Sequence, residues 1–221
     1  MRPPLPPIHL FIFIFLLVFM LLILQLGLFS IVLDKLGLSP HSAMLLLVIT
    51  LIGSGINLPI TKIEIPPGVE PVANPFSQWL PFKHLLNTGE TIIAINMGGA
   101  LVPVVFSIYL ISITPISLTK VILAILIVSF VCYSVSRPIK GLGIGMPIFI
   151  APFTAAIVAM LLAPQHSAPL AYICGTMGVL IGADILRLRD IPNLGAPIAS
   201  IGGAGTFDGI FLTGIVAVLL A

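Results

Sequence analysis

Apolar segments of nearly membrane-spanning length recur along this chain, and they restrict its fold more than any other feature. They lie at about 8–33, 42–60, 97–113, 119–136, 145–163, 168–186 and 205–221. A helix needs about 20 apolar residues to cross the hydrocarbon of a bilayer. The composition explains why lipid rather than water must be the solvent. Of 221 residues, 59% are hydrophobic and 7% charged. An ordinary soluble domain carries about 25% charged residues. The expected fold is therefore an all-α polytopic membrane protein of about seven transmembrane helices, some short or discontinuous. It reads as one integral membrane domain over residues 1–221. The first segment is too long for a signal peptide and is read as an uncleaved helix.

One loop is long, residues 61–96. Its edges, "ITKIEI" and "ETIIAIN", carry alternating or β-branched residues, which predicts a small cytoplasmic β-hairpin. Its centre holds Trp79, expected at the membrane interface with Phe76 and Phe82. Lys and Arg orient the chain. With the N-terminus inside, Arg2, Lys62, Lys83, Arg137, Lys140, Arg187 and Arg189 are cytoplasmic, against Lys35 and Lys120 outside. That places the protein in the cell membrane, with its C-terminus outside.

Two string pairs echo each other. "LIGSGI" (Leu51–Ile56) and "LIGADI" (Leu180–Ile185) end helices, while "GGALVP" (Gly98–Pro103) and "GGAGTF" (Gly202–Phe207) open them. Both pairs run the same way, as in a parallel repeat of a helix–loop–helix unit. Pro103, Pro147 and Pro152 are expected to kink or break helices.

The residues that lipid should exclude carry the functional signal. Outside the long loop the acids are Asp34, Asp184, Asp190 and Asp208. Asp34 sits beside Lys35 at a helix end, and Asp190 lies between Arg189 and the "IPN" turn, near Arg187. Asp184 and Asp208 are each expected about one turn, roughly 5 Å, inside the same membrane face. Two carboxylates at equal depth could share a proton, one acting as acid and one as base on water. On an ideal helix, however, Asp184 points about 160° away from Gly182. The G-x-x-x-G pairs Gly178–Gly182 and Gly205–Gly209 predict close helix contacts. Asn57 and Asn96 flank broken backbone, where they satisfy loose amides or line a polar site with Asp184 and Asp208. Gly202, Gly203 and Gly205 are candidates for irregular backbone that holds a substrate.

Other classes are disfavoured. The scattered cations form no basic face for nucleic acid. His9, His41, His84 and His166 lack metal-ligand spacing, and Cys132 and Cys174 lie in apolar runs. No metal and no cofactor is expected. The partners are the lipid bilayer and either a membrane peptide or a small ion.

The strings "SRPIKGLGIGMP", "LAYICGTMGVLIGADILRL" and "LGAPIASIGGAGTFDGIFLTGIVAVLL" resemble an uncharacterised domain-of-unknown-function family of archaeal and bacterial multi-pass membrane proteins. That likeness implies a fold but no activity. A looser likeness is to prepilin-peptidase and presenilin-type intramembrane aspartyl proteases, through "DILRLRDIPN" (Asp184–Asn193) and the later Asp208. It implies catalytic roles for Asp184 and Asp208 in peptide hydrolysis. The alternative is an ion or solute transporter or channel with broken helices around Asp208 and Asn96.

Overall fold

The computed structural model describes residue 18, residues 28–66, 69, 89–140, 143–196, 198–203 and 209–221. Asp208 and Gly205, the aromatic group Trp79, Phe76 and Phe82, His9 and His84, and most of the first apolar segment lie outside the described residues.

Seven α-helices are described: α1 (Leu28–Lys35), α2 (Pro40–Ser54), α3 (Val102–Ile113), α4 (Leu118–Val135), α5 (Ile150–Leu162), α6 (Ser167–Val179) and α7 (Gly209–Leu220). Five strands accompany them: β1 (Asn57–Glu64), β2 (Glu90–Asn96), β3 (Arg137–Ile139), β4 (Gly143–Gly145) and β5 (Ile198–Ile201). The expectation of an all-α chain with about seven spans is corrected on both counts. A three-stranded mixed sheet is built in. Among the described residues only two helices are long and apolar enough to cross a membrane, Leu118–Val135 and the continuous helical run Pro164–Ile185. The others are short because strands and turns take their ends. The segment expected at 42–60 gives residues from Asn57 onward to β1, and the one at 145–163 becomes helical only at Ile150.

The sheet order is β1-β2-β5. β2 is antiparallel to β1 and parallel to β5. The edges of the long loop thus pair as expected, but as two strands of a larger sheet rather than an isolated hairpin. Composition explains the order. β2, "ETIIAIN", is apolar through its middle and buried on both faces, which suits a central strand. β1 is largely exposed and holds Pro59 where the register slips, so it tolerates only an edge. Thr91 Oγ1 donates to the Ala196 carbonyl at 2.8 Å. Ile93, Ile191, Leu194 and Ala196 form a small core beneath the sheet.

The helices run up and down between two ends. At one end Lys35 Nζ donates to the Val218 carbonyl and Ser167 Oγ to the Ala221 carbonyl, joining the ends of α1 and α7 to the start of α6. The sheet occupies the other end, called here the junction. α6 is the central helix: Leu170, Ala171, Tyr172, Ile173 and Cys174 are fully buried. Small residues make this possible. A Cβ on Gly182 would strike the Ser129 carbonyl oxygen and lie 2.9 Å from Cys132 Cβ. One on Gly178 would lie 2.5 Å from Val128 Cγ1. The Gly178–Gly182 pair therefore seats α6 on α4, as its spacing predicts. Against α7, Gly214 faces Tyr172 and Thr176. Among the described residues nothing lies within 4 Å of a Cβ on Gly209.

α4 has two faces. Val121, Ala124, Val128 and Cys132 are buried, while Leu118, Ile122, Leu126 and Phe130, each four residues on, face outward. Phe130 is 71% and Leu126 61% exposed. Water does not tolerate an apolar stripe of this extent on a stable monomer, and lipid does. These two helices and that stripe associate the chain with a membrane.

Pro103 follows the Met97–Leu101 π turn inside the continuous helical run Met97–Ile113, beside irregular backbone. Pro152 sits in the first turn of α5, where a missing N–H costs nothing. Pro147 lies ahead of α5, and its carbonyl accepts the Ile150 amide at 3.3 Å.

Candidate functional site

The junction collects the polar residues. α2 ends at Ser54, and its last carbonyls lack helical partners. β2 ends at Asn96, beside them. The Asn96 Nδ2 donates to the Ser54 carbonyl at 2.7 Å. Its Oδ1 accepts the Gly99 amide at 2.7 Å, as an N-cap does. One buried side chain thus closes the end of one helix and the start of the next. The second Nδ2 hydrogen goes to Asn57 Oδ1 at 3.0 Å, and that oxygen also accepts the Ser200 hydroxyl. A single relay of hydrogen bonds runs from the end of α2 to β5.

Helical backbone is irregular on both sides of this relay. Met97–Leu101, "MGGAL", forms a π turn that leads into α3. Leu180–Ile185, "LIGADI", forms another that ends α6. Wide turns of this kind are rare and gather at functional positions. Close approach demands glycine here. A Cβ on Gly98 would strike the Thr50 carbonyl oxygen, and one on Gly53 would lie 2.9 Å from the Gly98 amide nitrogen.

The π turn positions Asp184. Its Oδ2 accepts the Gly202 amide at 2.7 Å. Gly202 has φ +84° and Gly203 φ +143°, conformations that L side chains avoid. The Gly202 backbone also lies on the π turn after β2, where its Cβ would come 2.6 Å from the Ala100 amide nitrogen. Gly182 faces α4 while Asp184 reaches the end of β5. The two residues point to different neighbours, as ideal helix geometry requires.

Asp184 has no cation among the described residues. Arg187, three residues on, is committed elsewhere. Its guanidinium donates to Asp190 Oδ2 at 3.1 Å, to the Tyr133 and Ser136 carbonyls at 2.9 Å each, and to Ser136 Oγ. It also lies 4.3 Å from the centre of the Tyr133 ring. It therefore caps the end of α4 and pairs with Asp190.

The structure brings together Asn57, Asn96, Asp184 and Gly202 from the sequence expectations, with Gly203 adjoining. Asp208 and Gly205 fall outside the described residues, and so does any meeting of the two aspartates. α6 and α7 are packed neighbours, through Gly175 against Thr213 and Ala217. Sequence reasoning missed Ser200 and the Ser54 carbonyl. The signal for Ser200 was its place in "IASIGG", two residues before the glycine that binds Asp184. Among the described residues no group of three or more His, Cys, Asp or Glu side chains gathers to hold a metal.

A family model described as "Protein of unknown function (DUF1614)" matches residues 51–220. No curated protein and no solved structure matches the chain.

Proposed function

Since the chain belongs to the DUF1614 family, whose description assigns no activity, we propose from the site itself that it is a multi-pass membrane protein passing a small ion or solute across the bilayer. The passage runs beside the junction. The observation that carries this reading is convergence. Two π turns, two strand ends and the Asn57–Asn96–Ser200 relay meet beside Asp184, an acid at the end of an apolar helical run. Irregular backbone at membrane depth is tolerated where it is buried in protein or lines a cavity. An acid inside such a segment commonly marks an ion route.

The parallel echo supports the same reading. β2 and β5 lie side by side and parallel, and each runs into a Gly-Gly-Ala string. Each string also rests on the end of the preceding long helical run: Gly98 on Gly53, Gly202 on Asp184. Binding sites at the interface of two such repeats are a recurring transporter plan. Peptide hydrolysis, the other expectation, needs Asp208 beside Asp184, and Asp208 lies outside the described residues.

Orientation follows from charge. Lys62, Arg137, Lys140, Arg187 and Arg189 lie at the junction end, against Lys35 and Lys120 at the other. The junction end faces the cytoplasm in this reading, and Ala221 faces outward.

The test is flux. The full chain, reconstituted in vesicles, should dissipate an imposed ion or solute gradient faster than empty vesicles. Asp184→Asn and Asp208→Asn should each abolish the difference. Rates equal to those of empty vesicles across protons, alkali cations, small anions and neutral solutes would overturn it.

A further inference from the structure

We infer that the species taken up at this site is a proton, and that it binds at Oδ1 of Asp184, the carboxylate oxygen that Gly202 does not hold. The inference rests on the passage reading above and names its ion. It stands on how the oxygens of the junction are used. A desolvated metal cation of the hard kind gathers about six oxygen ligands at once. Among the described residues, the side-chain oxygens nearest in sequence and pairing to Gly202 are already engaged. Asn96 Oδ1 holds the Gly99 amide, and Asn57 Oδ1 accepts from both Asn96 and Ser200. The Ser54 carbonyl holds Asn96. Among the described residues what remains is Asp184 Oδ1, since Oδ2 is engaged by Gly202. One open oxygen makes a poor cation cage and a complete proton site.

The neighbours agree. The π turn that carries Asp184 packs on α4, whose titratable residues there are Cys132 and Tyr133. Cys132 lies against Gly182, and Tyr133 is under the Arg187 guanidinium. β5 brings no titratable residue. On its own segment the next charges are Arg187, Arg189 and Asp190. Arg187 and Asp190 are paired, and Arg189 is exposed. No fixed cation among the described residues balances Asp184, and the C-terminal end of a helix opposes negative charge. A charge so placed is neutralised by taking a proton.

The exchange balances simply. A proton from water forms an O–H bond at Oδ1, leaving a neutral acid whose Oδ2 still accepts the Gly202 amide, more weakly. Release breaks that bond, returns the carboxylate, and tightens the hold on Gly202. Proton occupancy is thereby coupled to the Gly202–Gly203 turn.

The experiment combines binding and flux on the full chain in vesicles. Infrared difference spectra between alkaline and acidic buffer should show a protonated-carboxyl C=O band that shifts in D2O. It should be lost in Asp184→Asn and persist, displaced, in Asp184→Glu. In parallel, an entrapped pH dye should report proton entry that falls to the empty-vesicle rate in Asp184→Asn. A band unchanged in Asp184→Asn overturns the proton site. Sodium or potassium flux without any such band also overturns it, and leaves the passage reading standing. No flux of any species sinks the passage reading, while the band alone then decides whether Asp184 binds a proton.

Discussion

Asp184 Oδ2 accepts the backbone amide of Gly202 at 2.7 Å, tying the end of α6 to the turn that follows β5. The bond to a charged acceptor is worth about 1.5–3 kcal/mol, and one to a neutral acceptor about 0.5–1.5. Asp184→Asn keeps an oxygen in place and should cost about 1 kcal/mol. Asp184→Ala leaves the amide without its partner and should cost about 1–3 kcal/mol. Thermal unfolding in detergent at alkaline pH, where Asp184 is the carboxylate, should rank wild type, Asn, then Ala. An Ala variant as stable as wild type would show the bond to be unimportant for the fold.

Gly202 is constrained twice, by φ +84° and by the Ala100 backbone 2.6 Å from its Cβ position. The left-handed conformation costs a substituted residue about 1–2 kcal/mol and overpacking about 1–3. Gly202→Ala should therefore lower stability by about 2–5 kcal/mol on those terms. Adding Ala100→Gly should not restore it, because the obstructing atoms include main chain. Full rescue in the double variant would contradict this geometry.

The α4–α6 contact gives a contrasting pair. At Gly178 the obstruction is the Val128 side chain, whereas at Gly182 it includes the Ser129 carbonyl. Gly178→Ala should be rescued in part by Val128→Ala, which removes Cγ1 but leaves Cβ 2.7 Å away. Gly182→Ala should not be rescued by any side-chain change on α4. A double-mutant cycle reads the difference as a coupling of about 0.5–3 kcal/mol at position 178.

Asn96 is 1% exposed and serves two helix ends at once. Losing a cap costs about 0.5–2 kcal/mol, and each buried group left unpaired about 1–3. Asn96→Ala should therefore cost at least about 2 kcal/mol, more than Asn57→Ala. Chemical denaturation followed by helical signal compares the two. Equal costs would assign the relay's weight to Asn57 instead.

Orientation is open to chemistry. In a background with Cys132→Ala and Cys174→Ala, Lys140→Cys at the junction end and Lys120→Cys at the other should react with membrane-impermeant thiol reagents from opposite sides. Reaction of both from one side would refute the threading between them.

Some of this was legible in the sequence because it depends on local pattern. The alternating edge "ETIIAIN" announced β2, and Gly178–Gly182 announced a close helix contact, though not its partner. The parallel partner β5 was not legible. Its four residues, "IASI", are too short to separate from a loop, and their pairing depends on contacts over a hundred residues away. Span number was overstated because hydropathy does not see where apolar residues leave a helix. Leu58 and Ile60 are as apolar as helix residues yet belong to β1. Asn96 and Asn57 were placed correctly at broken backbone, but no spacing rule could show that one side chain would cap two helices.

The two π turns have a consequence for chain length. A π turn closes its hydrogen bond over one residue more than an α turn, as Leu186 N to Ile181 O does here. Each is an insertion that the fold has absorbed without breaking the helix. Removing one residue between Leu180 and Ile185 would let α6 run on as an ordinary α-helix. Everything beyond would then rotate by about 100°, and Asp184 would leave Gly202 for another side of the bundle. In relatives of this chain, an alignment gap of one residue at this position would mark proteins in which the acid serves a different neighbour.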